Sequence, residues 1–161
     1  MNAANLPDLA SPDASVRAAA AEQLCRCGTA AREAAVALAR AAGDADEKVQ
    51  QWAAAALEDL GPPPEHAVAE LTAILVSDAP ATAYWAATLL GRLGPIAAPA
   101  ITKLAAALRS PAAEVQQRAA WALGKIGPAA AAARGALVAA AQTSDARLAR
   151  LASEALAAID G

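Results

Sequence analysis

The residues of this sequence that could carry chemistry are few, and none of them is spaced like a catalytic or metal site. His66 is the single histidine of the 161-residue chain, so no Cys/His zinc motif and no Ser–His–Asp set stands out. Cys25 and Cys27 would point about 200° apart on a helix, which predicts small packing residues rather than a disulfide. Glu58 and Asp59 are adjacent and read as a solvated pair. The sequence therefore predicts no catalytic residue, no metal and no cofactor.

The aromatic and basic side chains indicate a binding surface instead. The chain has three Trp, one Tyr and no Phe, and Trp, Tyr and Arg are the residue types enriched at interface hot spots. The predicted partner-binding set combines these aromatics with neighbouring polar and basic residues: Gln51, Trp52, Tyr84, Trp85, Arg92, Gln117, Arg118, Trp121 and Lys125.

The elements that position these side chains follow from a period of 33 residues along the sequence. The period is visible in combs of identical or similar residues: Leu24, Leu57, Leu90, Leu123 and Leu156, then Gly28, Gly61, Gly94 and Gly127, and also Leu38, Leu71, Leu104 and Leu137. A fixed period of about 20–50 residues marks a repeat architecture. About a third of the residues are alanine, the best helix former, so an all-α fold is predicted.

Each repeat is predicted to hold two helices, called A and B here. The first A helix runs from about Ala14 to Cys27, after an N-cap at Asp13 and before a stop at Gly28. The period then predicts repeats beginning near residues 13, 46, 79 and 112, and a C-terminal half repeat over 145–161. Residues 1–12 are predicted to be an N-terminal cap stub, in which residues 5–9 are the remnant of a preceding B helix. One domain over residues 1–161 is expected.

The repeat pattern resembles that of a known family. Residues 16–28 read Val-Arg-x-x-Ala-Ala-x-Gln-Leu-x-x-Cys-Gly, and residues 115–127 read Val-Gln-x-x-Ala-Ala-x-Ala-Leu-Gly-Lys-Ile-Gly. Both resemble HEAT-like repeats of the phycobilisome-lyase type, and the chain is similar to artificial helical-repeat binders built from that consensus. The resemblance implies a right-handed α-α superhelix, a HEAT-like solenoid of about four and a half repeats.

The chain departs from this pattern at two recurring positions. The position of Arg17 is not filled by arginine again, and the capping Asp is replaced in two repeats; the substituted residues are Gln50, Ala83, Gln116, Ala149, Ala79 and Ala112. A continuous ladder of Asp–Arg contacts along the stack is therefore not expected.

Helical geometry places all four aromatics on one face of the A helices. At about 100° per residue, Val16, Ala20, Leu24 and Cys27 form a stripe that is predicted to face helix B, whereas repeat positions 18, 19, 22 and 26 lie on the remaining face. That face carries every aromatic residue of the chain. The resemblance implies that it lines the concave surface, and that the artificial binders are diversified at the matching positions.

On this face, Trp52, Trp85 and Arg118 are predicted to form a ladder across three repeats, because neighbouring helices lie about 8–10 Å apart. Tyr84 and Trp121 would flank the ladder. The alternative interpretation is that Trp52 and Trp85 are packing residues that cover the small residues of the adjacent repeat.

The predicted function is a non-catalytic, cytoplasmic scaffold that binds a protein or peptide, as a monomer or with weak self-association. A net charge of −3 argues against general nucleic-acid binding, no apolar run is long enough for a membrane span, and residues 1–5 do not read as a secretory signal. Three alternatives stay open. They are self-assembly through Ala149, Ser153 and Ala157, a lyase-like role on a small ligand or chromophore, and DNA-lesion binding with Asp59 beside the tryptophans.

Overall fold

The structure, a computed structural model, describes residues 8–161 and shows helices and turns but no strand in that part of the chain. Two compact units are distinguished, one ending at Ala67 and one running from Val68 to Gly161. Most of the predicted stub helix over residues 5–9 lies outside the described residues. None of the described helices is long and apolar enough to cross a bilayer.

The first unit contains α1 (Ala14–Cys27), α2 (Ala35–Ala41) and α3 (Glu47–Asp59). A 3-10 segment, Gly28–Ala34, leads from α1 into α2, and another, Glu65–Ala67, lies at the end of the unit. Helix α1 packs along α3. The predicted span of the first A helix is confirmed.

The second unit contains six described α-helices. They are α4 (Val68–Ile74), α5 (Pro80–Leu93), α6 (Ile101–Ala107), α7 (Ala113–Ile126), α8 (Arg134–Ala141) and α9 (Ala146–Asp160). The A helices of this unit are α5, α7 and α9, and each packs along the next. Their side-by-side arrangement is what brings equivalent positions of successive repeats together.

Glycines end the A helices where the chain turns towards helix B. The φ angle is +59° at Gly94 and +72° at Gly127, a region that glycine occupies readily because it has no Cβ. The chain then enters 3-10 segments, Gly94–Ala100 and Gly127–Ala133, before α6 and α8 begin. Short 3-10 stretches are common at helix ends. The B helices therefore start later than a pattern of continuous α-helix would suggest.

N-terminal caps are present in some repeats and missing in others. The Asp46 carboxylate accepts hydrogen bonds from the backbone N–H groups of Lys48 and Val49 at 3.0 and 3.1 Å. Side-chain caps of this kind occur at Asp13, Asp46 and Asp145. Ala79 and Ala112 have the same extended backbone but no side-chain oxygen. Two A helices thus begin without a side-chain acceptor at the N-cap position, which an Asp could supply.

The core of each unit is built from the leucine combs. The side chains with at most 1% exposure include Leu24, Leu38, Leu57, Leu71, Leu90, Leu104, Leu123 and Leu137. Leu156, in the last A helix, is half-buried. Burying a leucine side chain contributes about 1.5–3 kcal/mol, so these combs supply a large share of the stability.

The stripe predicted to face helix B is not buried over its full length in the first repeat. Val16 is 39% exposed, whereas Val115 at the same position is 1% exposed. Cys27 is exposed and Cys25 is half-buried, and both are free thiols. The prediction that Cys27 is a packing residue is therefore wrong: Ala20 and Leu24 of the same stripe are buried, but the burial does not extend to the end of α1.

The residues at repeat position 17, called the ladder positions here, make contacts along the turns. The Nε and Nη2 atoms of Arg17 donate to the two carboxylate oxygens of Asp44 at 2.7 and 2.8 Å. Its Nη1 atom donates to the carbonyl oxygen of Ser11 at 2.8 Å. Arg17 thus joins the turn before its own helix to the turn before the next A helix.

Glutamine replaces arginine at two ladder positions and keeps only part of this contact. The Nε2 of Gln50 donates to the carbonyl oxygen of Asp44, and the Nε2 of Gln116 donates to that of Ser110, in each case six positions earlier. Ala83 has no donor at its ladder position. At residues 50 and 116 the side chain is shorter than arginine and uncharged, and it contacts a backbone carbonyl oxygen and not an Asp carboxylate.

Exchanging the caps tests how much they stabilise the repeats. Asp46→Ala should lower the free energy of unfolding by about 1 kcal/mol, because two N–H groups of α3 lose their acceptor. Ala112→Asp should raise it by a similar amount, because the extended backbone at 112 already suits an N-cap. Urea denaturation followed by circular dichroism measures both changes. A loss of stability in Ala112→Asp would show that the cap position is not available there.

The Arg17–Asp44 pair should make stability depend on acid pH. The hydrogen bond from Arg17 holds the pKa of Asp44 below its ordinary value of 3.8. A lowered pKa stabilises the folded state above the unfolded-state pKa, and this contribution is lost as the pH falls through the folded-state pKa. Asp44→Asn should melt at a lower temperature than the parent at pH 7, with a smaller further loss between pH 5 and pH 2.

Thermal melts at pH 7, 5, 3 and 2 check this expectation. Asp78→Asn is the matched control, since Asp78 lies in a corresponding B-to-A turn and forms no salt bridge with a described residue. Parallel melting curves of the parent and Asp44→Asn across the whole range would contradict the role of the pair.

Candidate functional site

The predicted binding residues lie on three A helices, which belong to different units. In the first unit, α3 carries Gln51 and Trp52; in the second, α5 carries Tyr84, Trp85 and Arg92, and α7 carries Gln117, Arg118, Trp121 and Lys125. The second unit therefore holds most of the set and all of the ring contacts described below.

Tyr84, Trp85, Arg118 and Trp121 form one group of contacts, called the aromatic–arginine cluster here. The rings of Tyr84 and Trp85 meet edge to face, with centroids 5.3 Å apart. The Cζ of Arg118 lies 4.6 Å from the Tyr84 ring centroid and 5.2 Å from that of Trp121. Arg118 Nη2 also donates a hydrogen bond to the Tyr84 hydroxyl. Because a guanidinium is attracted to aromatic faces at this range, Arg118 joins the rings of two neighbouring A helices.

The order of the predicted ladder differs in the second unit. Arg118 lies on Tyr84 rather than on Trp85, and Trp85 is only 8% exposed. The Cζ of Arg92 lies 6.0 Å from the Trp85 ring centroid. Trp85 is thus mainly a packing residue, as in the alternative interpretation of the sequence. Trp52 is 36% exposed in the first unit, and the step of the ladder from Trp52 to Trp85 stays a prediction.

Trp121 occupies space that a glycine leaves open. A Cβ added to Gly91 would clash with Cζ3 of Trp121 and would lie 2.8 Å from its Cε3, far inside van der Waals contact. The indole therefore lies directly against the backbone of α5. At the equivalent Gly124, a Cβ would lie 3.2 Å from the Cα of Ala155 in α9. Glycine thus allows close approach of neighbouring A helices at both positions.

Two clefts lie on either side of the Trp121 indole, between the A helices of the second unit. One has a volume of about 170 Å³ and is lined by Tyr84, Glu114, Gln117, Arg118, Trp121, Arg147, Arg150 and Leu151. The other has a volume of about 210 Å³ and includes Lys125 and Glu154 in its walls. The first, called the arginine cleft here, combines an aromatic wall with three arginines and one glutamate.

The charges of the arginine cleft are only partly neutralised. Arg150 pairs with Glu154 at 2.7 Å, but Arg118 and Arg147 form no salt bridge with any described residue. Gln117 is engaged within the protein, because its Nε2 donates to Asp145 Oδ2 at 2.8 Å. Two arginines therefore keep their charge available to an anionic ligand.

The pKa of Asp145 lies below its ordinary value, and the same contact contributes to this. The N–H of Leu148 is the strongest stabiliser of the charged form, and the Gln117 amide follows it. The predicted binding residue Gln117 therefore also holds the N-cap of α9 in place.

Arg147, Arg150 and Leu151 were not part of the predicted set, although the repeat contains the signal that places two of them. Arg150 and Leu151 stand 33 residues after Gln117 and Arg118. Extending the aromatic positions by one more period therefore finds Arg150 and Leu151. Arg147, which also lies in the wall of the arginine cleft, corresponds to Glu114 and has no such signal.

The first unit offers a simpler surface at the equivalent positions. Gln51 Nε2 donates to Glu47 Oε1 at 3.1 Å, one helical turn earlier. Among the described residues, no group of His, Cys, Asp and Glu could hold a metal ion. His66 Nε2 lies 3.4 Å from Glu33 Oε2, and both side chains are exposed. The arrangement around His66 is that of a surface pair.

Known proteins match the chain through its repeats. A family model described as HEAT repeats matches residues 3–91, more than half of the 161 residues. No curated protein matches the chain. A solved structure of an engineered protein superimposes with a TM-score of 0.69 at 25% identity, covering 99% of this chain and 81% of that one.

Two further structures share the fold. The complex of CpcE and CpcF of phycocyanin lyase from Nostoc sp. PCC7120 matches with a TM-score of 0.66 at 26% identity, over 96% of this chain and 63% of that one. A designed armadillo repeat protein in complex with the peptide (KR)4 matches with a TM-score of 0.65 at 17% identity, over 94% and 79%. The predicted all-α solenoid class is confirmed, and so is the resemblance carried by the repeat pattern.

Gly91→Ala tests the contact between Gly91 and Trp121. The added methyl group should displace the Trp121 indole, and overpacking of this kind costs about 1–3 kcal/mol. The higher helix propensity of Ala returns up to about 1 kcal/mol, so a net loss of stability is expected. In a Trp121→Ala background the same substitution should cost clearly less or should stabilise. Urea denaturation of the four chains measures this difference, and equal effects in both backgrounds would contradict the contact.

Proposed function

Because the chain belongs to the HEAT repeat family, we propose that it is a non-catalytic scaffold that binds a protein or peptide on the face of its A helices. The aromatic–arginine cluster is the observation that carries this proposal. Tyr84, Arg118 and Trp121 line the arginine cleft, and Trp121 also lines the second cleft, so a peptide there would contact apolar and cationic surface together. Aromatic residues and arginine in such settings are typical of interface hot spots.

The charge of the arginine cleft favours an acidic partner segment. Arg118 and Arg147 form no salt bridge with a described residue, so a peptide carboxylate would bind them without first breaking such a pair. Leu151 and the Trp121 indole provide apolar wall beside these charges. The proposed ligand is a peptide in which Asp or Glu residues alternate with aliphatic side chains.

The similar structures support a scaffold role. The kind of ligand is inferred from the residues on the face of the A helices. The designed armadillo protein is bound to a basic peptide, (KR)4, whereas three arginines line this cleft. The likeness to a phycocyanin lyase complex fits the alternative of a small ligand or chromophore. The two clefts beside Trp121 have volumes of about 170 and 210 Å³, and pockets for drug-sized ligands usually measure about 300–1,000 Å³. A peptide lying across both clefts suits this face better.

Charge reversal at Arg147 tests the proposal. A fluorescein-labelled peptide of alternating Glu and Leu should bind the parent, and Arg147→Glu should weaken binding at least about tenfold, the equivalent of about 1.4 kcal/mol. Fluorescence anisotropy at two salt concentrations measures the affinity. Since Arg147 is exposed, the variant is expected to keep the fold, which circular dichroism verifies.

Lys103→Glu is the matched control, because it makes the same charge change on the exposed side of α6, a B helix. It should leave the affinity within about twofold of the parent. A peptide of alternating Lys and Leu should bind weakly or not at all. Equal affinity for both peptides, or equal losses in the two variants, would refute recognition of an acidic segment by this face.

A further inference from the structure

The interrupted ladder leaves a cavity in the second unit, away from the aromatic–arginine cluster. This cavity has a volume of about 320 Å³ and lies between the turn before α5 and the turn before α7. Its lining includes Ser77 and Asp78 from the first turn, Ser110 and Pro111 from the second, and Ala83 at the ladder position. It is called the turn pocket here.

A second cavity shows what normally occupies this place. It lies one repeat later, has a volume of about 210 Å³, and has Gln116 at the ladder position in its wall. Seven of its eight lining residues stand 33 positions after residues of the turn pocket. They are Leu108, Arg109, Gln116, Ala139, Ala140, Thr143 and Leu148. The two cavities are therefore equivalent by repeat, and they differ in the side chain at the ladder position.

Gln116 fills part of its cavity by covering the preceding turn. Its Nε2 donates to the carbonyl oxygen of Ser110, and neither Ser110 nor Pro111 lines the later cavity. Their counterparts Ser77 and Asp78 do line the turn pocket. Ala83 ends at Cβ, so its side chain cannot donate to the carbonyl oxygen of Ser77. The carbonyl oxygen of Ser77 thus lacks the ladder-position amide that its counterpart, the carbonyl oxygen of Ser110, receives from Gln116.

From this comparison we infer that the turn pocket binds the side chain of a glutamine from a partner peptide. The carboxamide N–H would donate to the carbonyl oxygen of Ser77, as Gln116 does to Ser110. The aliphatic stem would lie against Leu75, Pro80 and Val115, which form apolar wall of the pocket. This site is separate from the face that binds the acidic segment in the proposed function, and does not depend on it.

The chemistry of the ladder positions selects a carboxamide over a guanidinium. Arg17 occurs where the next turn supplies a carboxylate, that of Asp44. Gln116 occurs where the corresponding residue is Thr143, a hydroxyl. The turn pocket has Ser110 there, and its wall holds both Arg109 and Asp78, whose charges are opposite. A neutral donor therefore fits the pocket, because a cationic side chain would meet no carboxylate at the position that corresponds to Asp44.

The first test introduces the carboxamide as a side chain of the protein at residue 83. Ala83→Gln should raise the melting temperature relative to Ala83→Met, by about 2–4 °C for a bond of ordinary strength. Met has nearly the same length and helix propensity but no donor. Circular dichroism shows whether both variants keep the helical fold. A melting temperature for Ala83→Met equal to or above that of Ala83→Gln would overturn the assignment of Ser77 as a free acceptor.

The second test uses free ligands with the unmodified chain. N-acetylglutamine methylamide should shift the backbone amide resonances of residues 77–83 and 106–112 saturably, in the millimolar range expected of a fragment. N-acetylmethionine methylamide and N-acetylglutamate methylamide should bind at least about fivefold more weakly, because their side chains lack the carboxamide N–H donor. In Ala83→Gln these shifts should disappear, since the pocket is already filled.

The outcomes distinguish a glutamine-binding site from a nonselective apolar cavity and from binding elsewhere on the protein. Equal binding of the methionine analogue would show an apolar hole, and persistent shifts in Ala83→Gln would place the ligand elsewhere; either result overturns the inference. Absence of shifts with the glutamine analogue up to its solubility limit also does so. A selective, saturable response that Ala83→Gln removes supports it.

Discussion

Close approach of neighbouring A helices is the constraint on which the second unit depends. A Cβ at Gly91 would clash with Trp121, a Cβ at Gly124 would lie only 3.2 Å from the Cα of Ala155, and Ala87 and Ala120 are fully buried. Small residues let helix backbones come together at the short end of the usual spacing. Leucines fill the space between A and B helices, so the layer of A helices needs no large side chain at its centre.

This closeness decides where the large side chains of the unit can lie. An aromatic ring cannot enter between two A helices except where a glycine makes space, as Gly91 does for Trp121. Tyr84 and Arg118 lie beside that ring, and Arg118 joins the two helices through cation–π contacts and a hydrogen bond to the Tyr84 hydroxyl. The candidate binding surface is thus a consequence of how tightly the helices stack.

The turns at the other edge of the repeats follow a different principle. There the repeats are joined by polar contacts from the ladder positions, and the length and charge of each side chain match the acceptors it reaches. Because the repeats are equivalent, a substitution in one of them can be compared directly with its neighbours. Ala83 is such a substitution, and the enlarged cavity beside it follows from the missing side chain.

The sequence by itself determined the helices, their order, the glycines that end them and the leucine core. The reason is that a strict 33-residue period places the same residue types at the same positions of each repeat. It also placed the aromatics on one face of the A helices, since that depends only on helical angles. Tertiary structure decided which of them are available: Trp85 is packed, Trp121 lies on Gly91, and Arg118 pairs with Tyr84. Such contacts depend on distances between helices and on rotamers, which the period of a sequence does not specify. The exposure of Cys27 likewise depends on what covers α1, which is a property of the packed unit and not of the repeat.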